Sequence, residues 1–270
     1  MSENYNEQEG LQEEPMQEEL GLTDKIVGVL SSPAATFSSV AAFPLKTIDW
    51  LLPFCILLIL IIGSNFVKTS NPAIAAEIQD QQRQRVYKML DEQKKEGKLT
   101  TEQVNEQKER LDDQLKNMNS PIYLIIQGVS IFVGAFLIFF IICGIYFLIA
   151  KFGFKDNATY QGVMVANGLV AVISMIQVLI TTILSMAMNK FIPDTSVNSF
   201  MAIDRTSPLY FAGIVDPFKI WSYAVIAIAM SKLFKAEDAK KYYFMVFGIW
   251  IGWEVLFFIL RKFVPFMAGM

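Results

Sequence analysis

An all-α polytopic membrane protein is what the sequence predicts: five transmembrane helices, with an extramembrane helical hairpin between the first and the second. Three observations carry that reading. The 270 residues are 53% hydrophobic and only 18% charged, against roughly 25% charged in an ordinary soluble domain. The apolar residues come in unbroken blocks, as in segments that cross a bilayer. One long polar stretch, 68–120, separates the first two blocks and carries its own helical periodicity.

Taken in order, residues 1–21 hold seven glutamates and no Lys or Arg. Such a segment buries too little surface to fold and reads as a disordered acidic tail, either a solvated leader or a docking tail for a basic partner. Nothing in it has the basic-then-apolar form of a cleavable signal. Residues 22–49 read as two short amphipathic helices at the membrane surface, with an elbow packed on the bundle as the alternative. Ile26 and Leu30 share a face, Ser32-Pro33 is a helix start, and Phe37, Val40 and Ala41 follow at helical spacing.

The first span is 50–67, near the lower length limit for crossing, with Pro53 expected in its first turn, where proline is tolerated. In 68–120, Ile74, Ile78, Val86, Met89 and Leu90 form a thin stripe that Gly97 breaks. Thr100 with Gln103 reads as a capping box, and Val104, Leu111, Leu115 and Met118 continue the stripe. Two helices packing on each other along a narrow seam fit this, with docking of a partner or a second subunit as the alternative. The remaining spans are 121–150, 158–188, 217–234 and 243–263. Small residues four apart, Ser130 with Gly134, Gly162 with Ala166, Ala227 with Ser231 and Gly248 with Gly252, predict close helix approach, and the last pair is also a candidate dimer interface.

Five spans put the tail and the even-numbered loops on one side. Eight bases lie there: Lys25, Lys46, Lys151, Lys155, Lys232, Lys235, Lys240 and Lys241. Weighted toward short loops, the positive-inside rule makes that side cytoplasmic and puts the hairpin opposite.

The candidate site is set by depth. Glu254 sits in the last span among Trp253, Val255, Leu256 and Phe257, where an unanswered carboxylate costs roughly 2.5–3.5 kcal/mol. Lys219, Ser222 and Tyr223 in the fourth span, Gln177 in the third and Gln127 in the second share the hairpin-side half of the bundle. Glu254 is therefore expected to face the interior and bond Tyr223, Gln177 or Lys219. Two roles stand open: glue that fixes the bundle, or a wet pocket for an ion, proton or lipid headgroup.

Other functions are disfavoured. The chain has no histidine, which removes the usual general base and the commonest metal ligand. Cys55 and Cys143 lie inside apolar runs and read as small buried hydrophobes. H-E-x-x-H, G-x-S-x-G and a phosphate-cradling glycine loop are missing, so no enzyme, cofactor or metal is expected. A net charge of −3 makes no case for nucleic acid. Expected partners are the lipid bilayer, a protein meeting the hairpin or the acidic tail, and a second copy of the chain.

Two stretches resemble the Yip-domain family, named for Ypt-interacting proteins. Asp49-Trp50-Leu51-Leu52-Pro53 resembles its D-L-x-G-P signature at the first span, and Asp216-Pro217-Phe218-Lys219-Ile220-Trp221 resembles the D/N-P-F-x-I-W motif of its bacterial branch. Ser32-Pro33 followed by Phe37 is similar to that branch's leader, and the glycine–tyrosine pair of eukaryotic third spans is absent. The resemblance implies a five-span fold in the bacterial inner membrane without an assigned reaction; eukaryotic members bind Rab-type GTPases. From it comes the leading expectation, a non-enzymatic membrane adaptor or organiser. A small transporter, channel or lipid-handling protein using the Glu254 layer is the alternative.

Overall fold

The computed structural model describes residues 18–118, 120–201 and 207–263, so most of the expected acidic tail lies outside the described residues. These form eleven α-helices and, among the described residues, no strand. They are α1 Leu22–Ser31, α2 Pro33–Val40, α3 Thr47–Ser70, α4 Pro72–Lys95, α5 Thr101–Lys116, α6 Pro121–Leu148, α7 Tyr160–Met188, α8 Val197–Phe200, α9 Tyr210–Gly213, α10 Pro217–Leu233 and α11 Lys240–Phe263. Four of them start on proline after Ser, Asn or Asp, because proline's fixed φ suits the first helical position and its missing N–H is not needed there. Asn71, Ser120 and Asp216 cap the following backbone N–H groups with their side chains.

Four helices are long and apolar enough to cross a membrane: α3, α6 with the π-helical turn that extends it to Gly153, α7, and α11. α10 has 17 residues, about 25 Å at 1.5 Å per residue. Pro53 lies further into α3 than expected, because the helix begins at Thr47 rather than at the apolar block. Its missing N–H leaves the Asp49 carbonyl without its i+4 donor.

α3 and α7 form the spine and run parallel. Trp50 meets Gly168, the Ser64 and Thr182 hydroxyls lie 2.5 Å apart, and Asn71 donates to Asn189 at 2.8 Å, three contacts at one constant sequence offset. A Cβ on Gly168 would overlap the Trp50 backbone, so the approach needs a glycine. α6 returns antiparallel to α3, with Phe139 stacked on Trp50 at 5.5 Å and Phe136 edge-on to Phe54 at 5.1 Å. α10 lies antiparallel along α7, from Asp216 at Gln177 to Phe234 at Gly162. α11 packs back on α10 through Tyr223 and Trp250, 5.3 Å between centroids. Half of the apolar window of α7 is buried, against 17% in α6 and 11% in α11. α7 is thus the hub, and α6 and α11 carry the most exposed apolar faces.

The leader packs into the end of this bundle. Val29, Phe37 and Val40 join the core, with α1 against α7 and α2 against α10. The Lys25 ammonium donates to both carboxylate oxygens of Asp49 at 2.9 Å, and both residues are at most 4% exposed. Glu19 joins Lys46 at 2.7 Å on the rim of the same pair. The buried face of α1 is therefore Lys25 and Val29, with Ile26 and Leu30 half-buried beside it.

At the other end, α4 and α5 lie along each other. Ile74, Leu90, Val104, Leu115 and Met118 are buried, and Arg83, Tyr87 and Lys108 reach across to Asp112 and Asp91. The Thr100 hydroxyl accepts from the Gln103 N–H while the Gln103 amide oxygen accepts from the Thr100 N–H.

The small-residue pairs divide. Gly162, Ala166, Ala227 and Ser231 are buried. Gly248 and Gly252 are not, and a Cβ at either would meet nothing within 4 Å; Ser130 is exposed and Gly134 likewise meets nothing. The expectation of close packing within the chain is corrected for these two pairs, because their small faces point away from the bundle on its edge helices.

Candidate functional site

The polar groups on the α4 side of the bundle converge on the segment after α7. That helix ends at Asn189, whose left-handed backbone (φ 49°) turns the chain back on itself. The returning loop is held from three helices. The Ser185 hydroxyl of α7 accepts from the Ile192 N–H at 3.1 Å, Lys68 of α3 donates to the Ile192 carbonyl at 3.0 Å, and Glu77 of α4 accepts from the Phe191 N–H at 2.6 Å. Lys68 is 4% exposed; its ammonium is answered by that carbonyl and by the Phe191 ring at 5.7 Å.

Two carboxylates organise the rest of the loop and the start of α10. Asp216 is fully buried. It caps α10 by accepting from the Phe218 and Lys219 N–H groups at 2.9 and 3.3 Å, and it accepts from the Thr195 hydroxyl at 2.7 Å and the Gln177 amide at 2.8 Å. The positive end of α10 and these donors stabilise the buried charge. Asp194 accepts from the Ser196 N–H and hydroxyl at 3.1 and 2.6 Å, from the Ser199 hydroxyl, and from Lys219 at 3.4 Å. Burial pushes the Asp194 carboxyl up, but the two serine hydroxyls, the Lys219 charge and the Ser196 N–H outweigh it and hold it below the usual carboxylate range.

Between α4, this loop and α11 lies a cleft of about 530 Å³, within the 300–1,000 Å³ that small-ligand sites occupy. Glu77, Gln81 and Arg85 wall it from α4, Lys190 and Asp194 from the loop, Tyr210 from α9, Lys219 from α10 and Glu254 from α11. Glu254 is half-buried and, among the described residues, accepts one long hydrogen bond, from the Tyr210 hydroxyl at 3.4 Å. Two turns further along α11, the Arg261 guanidinium lies 5.2 Å from the Tyr210 ring centroid.

The expected partners of Glu254 are therefore corrected. Gln177 is committed to Asp216 and Thr195, and Lys219 to Asp194. Tyr223 packs edge-on against Phe247 and at a tilt against Trp250. The loop carboxylates, closer to these donors, take them first. Lys219 and Glu254 do share the cleft. Ser222 is half-buried one turn below it. Gln127 lies elsewhere, in a gap of about 240 Å³ between α3 and α6 with Ile62, Asn65 and Phe66.

The motif residues have structural tasks. Asp49 binds Lys25, Asp216 and Pro217 start α10, and Phe218 and Trp221 pack against the core with ring centroids 6.3 Å apart. Sequence reasoning missed Asp194, Thr195 and Ser199. The available signal was an aspartate two residues before a serine, a turn and cap pattern, overlooked because the helix it starts is only four residues long.

The class these features define is an all-helical, multi-pass membrane protein, with four helices long and apolar enough to span a bilayer and a mixed-charge cleft at one end. No family model, curated protein or solved structure matches the chain.

Proposed function

We propose that the chain is a five-span integral membrane protein of the Yip-like type, in the bacterial inner membrane, acting without catalysis as an adaptor or organiser through contacts made beneath the hairpin 68–120. The cleft carries this reading. It is the place where the hairpin, the loop after α7 and the last membrane helix jointly present groups to a visitor. Support for the fifth span comes from α10, which runs along α7 from Gln177 to Gly162. With five spans, the lysine bias of the short loops makes the N-terminus cytoplasmic and puts the hairpin opposite, and the Gly248–Gly252 face of α11 is available to a second copy. A photo-activatable residue at Gln81, on the cleft wall, is expected to capture a protein or lipid in cells, while one at Glu102, exposed on α5, captures much less. Adducts from Glu102 alone, or from neither, would sink the reading.

A second reading, a lipid-handling protein or small transporter, is favoured by Glu254: its one 3.4 Å hydrogen bond among the described residues leaves a membrane carboxylate under-committed. Loss of lipid exchange or flux in liposomes on Glu254→Gln, in protein that still folds, would favour it over the adaptor.

A further inference from the structure

The ligand the cleft would take depends on which of its charged groups are already committed. Of the three lining carboxylates, Asp194 is fully engaged by Ser196, Ser199 and Lys219. Glu77 accepts from the Phe191 N–H at 2.6 Å and from the Gln81 amide at 3.2 Å. Among the described residues, Glu254 is left with a single long bond. The cations divide the other way. Among the described residues, the Lys190 ammonium has no hydrogen-bond partner, the Arg85 guanidinium has only the Gln81 amide oxygen at 3.5 Å, and Lys219 holds Asp194 at 3.4 Å. Arg85 and Lys190 are exposed. The uncommitted surface is thus basic on the α4 and loop wall and carries one carboxylate on the α11 wall.

The position of Glu254 adds the second constraint. It lies on an edge helix whose apolar window is 11% buried, and its sequence neighbours Trp253, Val255 and Leu256 are exposed. The flank of α11 beside the cleft is one on which acyl chains would lie, bringing a headgroup level with the charged walls.

We propose that the cleft binds a phosphoethanolamine group, as carried by a phospholipid headgroup: the phosphate faces Arg85 and Lys190, and the primary ammonium donates to Glu254. Arginine and lysine suit the phosphate oxygens, and a carboxylate in a partly desolvated wall selects an ammonium with N–H donors over a hydroxyl or a trimethylated nitrogen. The proposal rests on the reading that the cleft receives a visitor.

The test uses the full chain in detergent micelles and counts retained lipid by native mass spectrometry. Dioleoyl phosphatidylethanolamine, phosphatidylglycerol and phosphatidylcholine are offered separately, and free O-phosphoethanolamine in a parallel arm. Wild type is expected to retain one phosphatidylethanolamine in preference to the other two by about tenfold, the order of one charge-assisted hydrogen bond. Glu254→Gln should abolish the preference over phosphatidylglycerol without lowering retention of the latter, and Arg85→Ala with Lys190→Ala should weaken all three. Because Arg85 and Lys190 are exposed, that pair tests the phosphate wall even if Glu254→Gln unfolds the chain. Saturable binding of free O-phosphoethanolamine with no lipid retained would support the same chemistry and make its source a soluble molecule. Equal retention of all three lipids, unmoved by either variant, would overturn the proposal. If capture at Gln81 persists in that case, the cleft remains a contact site and only the ligand is wrong.

Discussion

Asp216 gathers four donors from three segments into a position with no exposed surface, so its side chain tests how the site end of the bundle is held. Asp216→Ala removes a helix cap, about 1 kcal/mol, and strands the Gln177 and Thr195 donors at about 1–3 kcal/mol. A loss of roughly 3 kcal/mol is expected in thermal unfolding in detergent. Asp216→Asn keeps an oxygen for the cap and should cost about half as much; equal losses from both would show that cap geometry is not the cause. At the opposite end, Lys25→Met leaves the Asp49 charge buried and unpaired, which costs about 3–5 kcal/mol, whereas Lys25→Met with Asp49→Leu should recover most of that. A double variant as unstable as the single would refute this account of the pair. The starts of these features were legible. Asp49 and Asp216-Pro217 stand in the two stretches that resemble family motifs at the heads of spans. Their partners were not, because Gln177 and Thr195 lie 39 and 21 positions from Asp216 and Lys25 lies 24 from Asp49. Hydropathy places each residue in depth but not around the helix.

Periodicity carries further for pairs of helices than for single partners. The seam of α4 and α5 and its capping box could be read directly, since local spacing determines both. Across that seam, the Arg83 guanidinium and the Tyr87 hydroxyl hold the Asp112 carboxyl below its usual range, and Asp112 in turn raises Tyr87. The folded value of Asp112 lies below the unfolded one. Its stabilisation is therefore fully present above the ordinary carboxylate range and is lost as pH falls through the lowered value. Amide exchange in α4 and α5 is expected to accelerate on acidification across that window beyond its intrinsic pH dependence, and Asp112→Asn should flatten the response; an unchanged profile in the variant would assign it to other groups. Small residues four apart were less informative, because the spacing marks a smooth helix face without saying what the face meets. Gly168→Ala pushes a methyl into the Trp50 backbone and should cost about 1–3 kcal/mol as α3 and α7 separate. Gly252→Ala meets open space and should be neutral or gain up to about 1 kcal/mol in helix propensity. A comparable loss at both sites in monomeric protein would contradict the packing described for α11.

For the whole molecule, the order α6, α3, α7, α10, α11 explains why hydropathy recovered the long helices and misjudged the site. The edge helices α6 and α11 are apolar nearly all round, so their blocks stand out, whereas the segment between α7 and α10 is short, mixed in character and folded back toward α3 and α4 by Lys68, Glu77 and Ser185. That segment supplies most of the polar network, and no window long enough to detect a span resolves it. The same geometry bears on the number of crossings. Parallel α3 and α7 require α6 to return between them, and α10, antiparallel to α7, brings Phe234 beside Gly162 at the end where α7 begins. If α3, α6 and α7 cross, the turn at Lys235 must then emerge on the side of α1, even though α10 is only 17 residues long; a helix that short meets the lipid faces through local thinning and long flanking side chains. With Cys55 and Cys143 replaced by alanine, single cysteines at Glu18 and Lys235 are expected to react with a membrane-impermeant thiol reagent from one face of sealed vesicles, and one at Lys94 from the other. Labelling of Lys235 together with Lys94 would mean that α10 does not cross, leaving four spans.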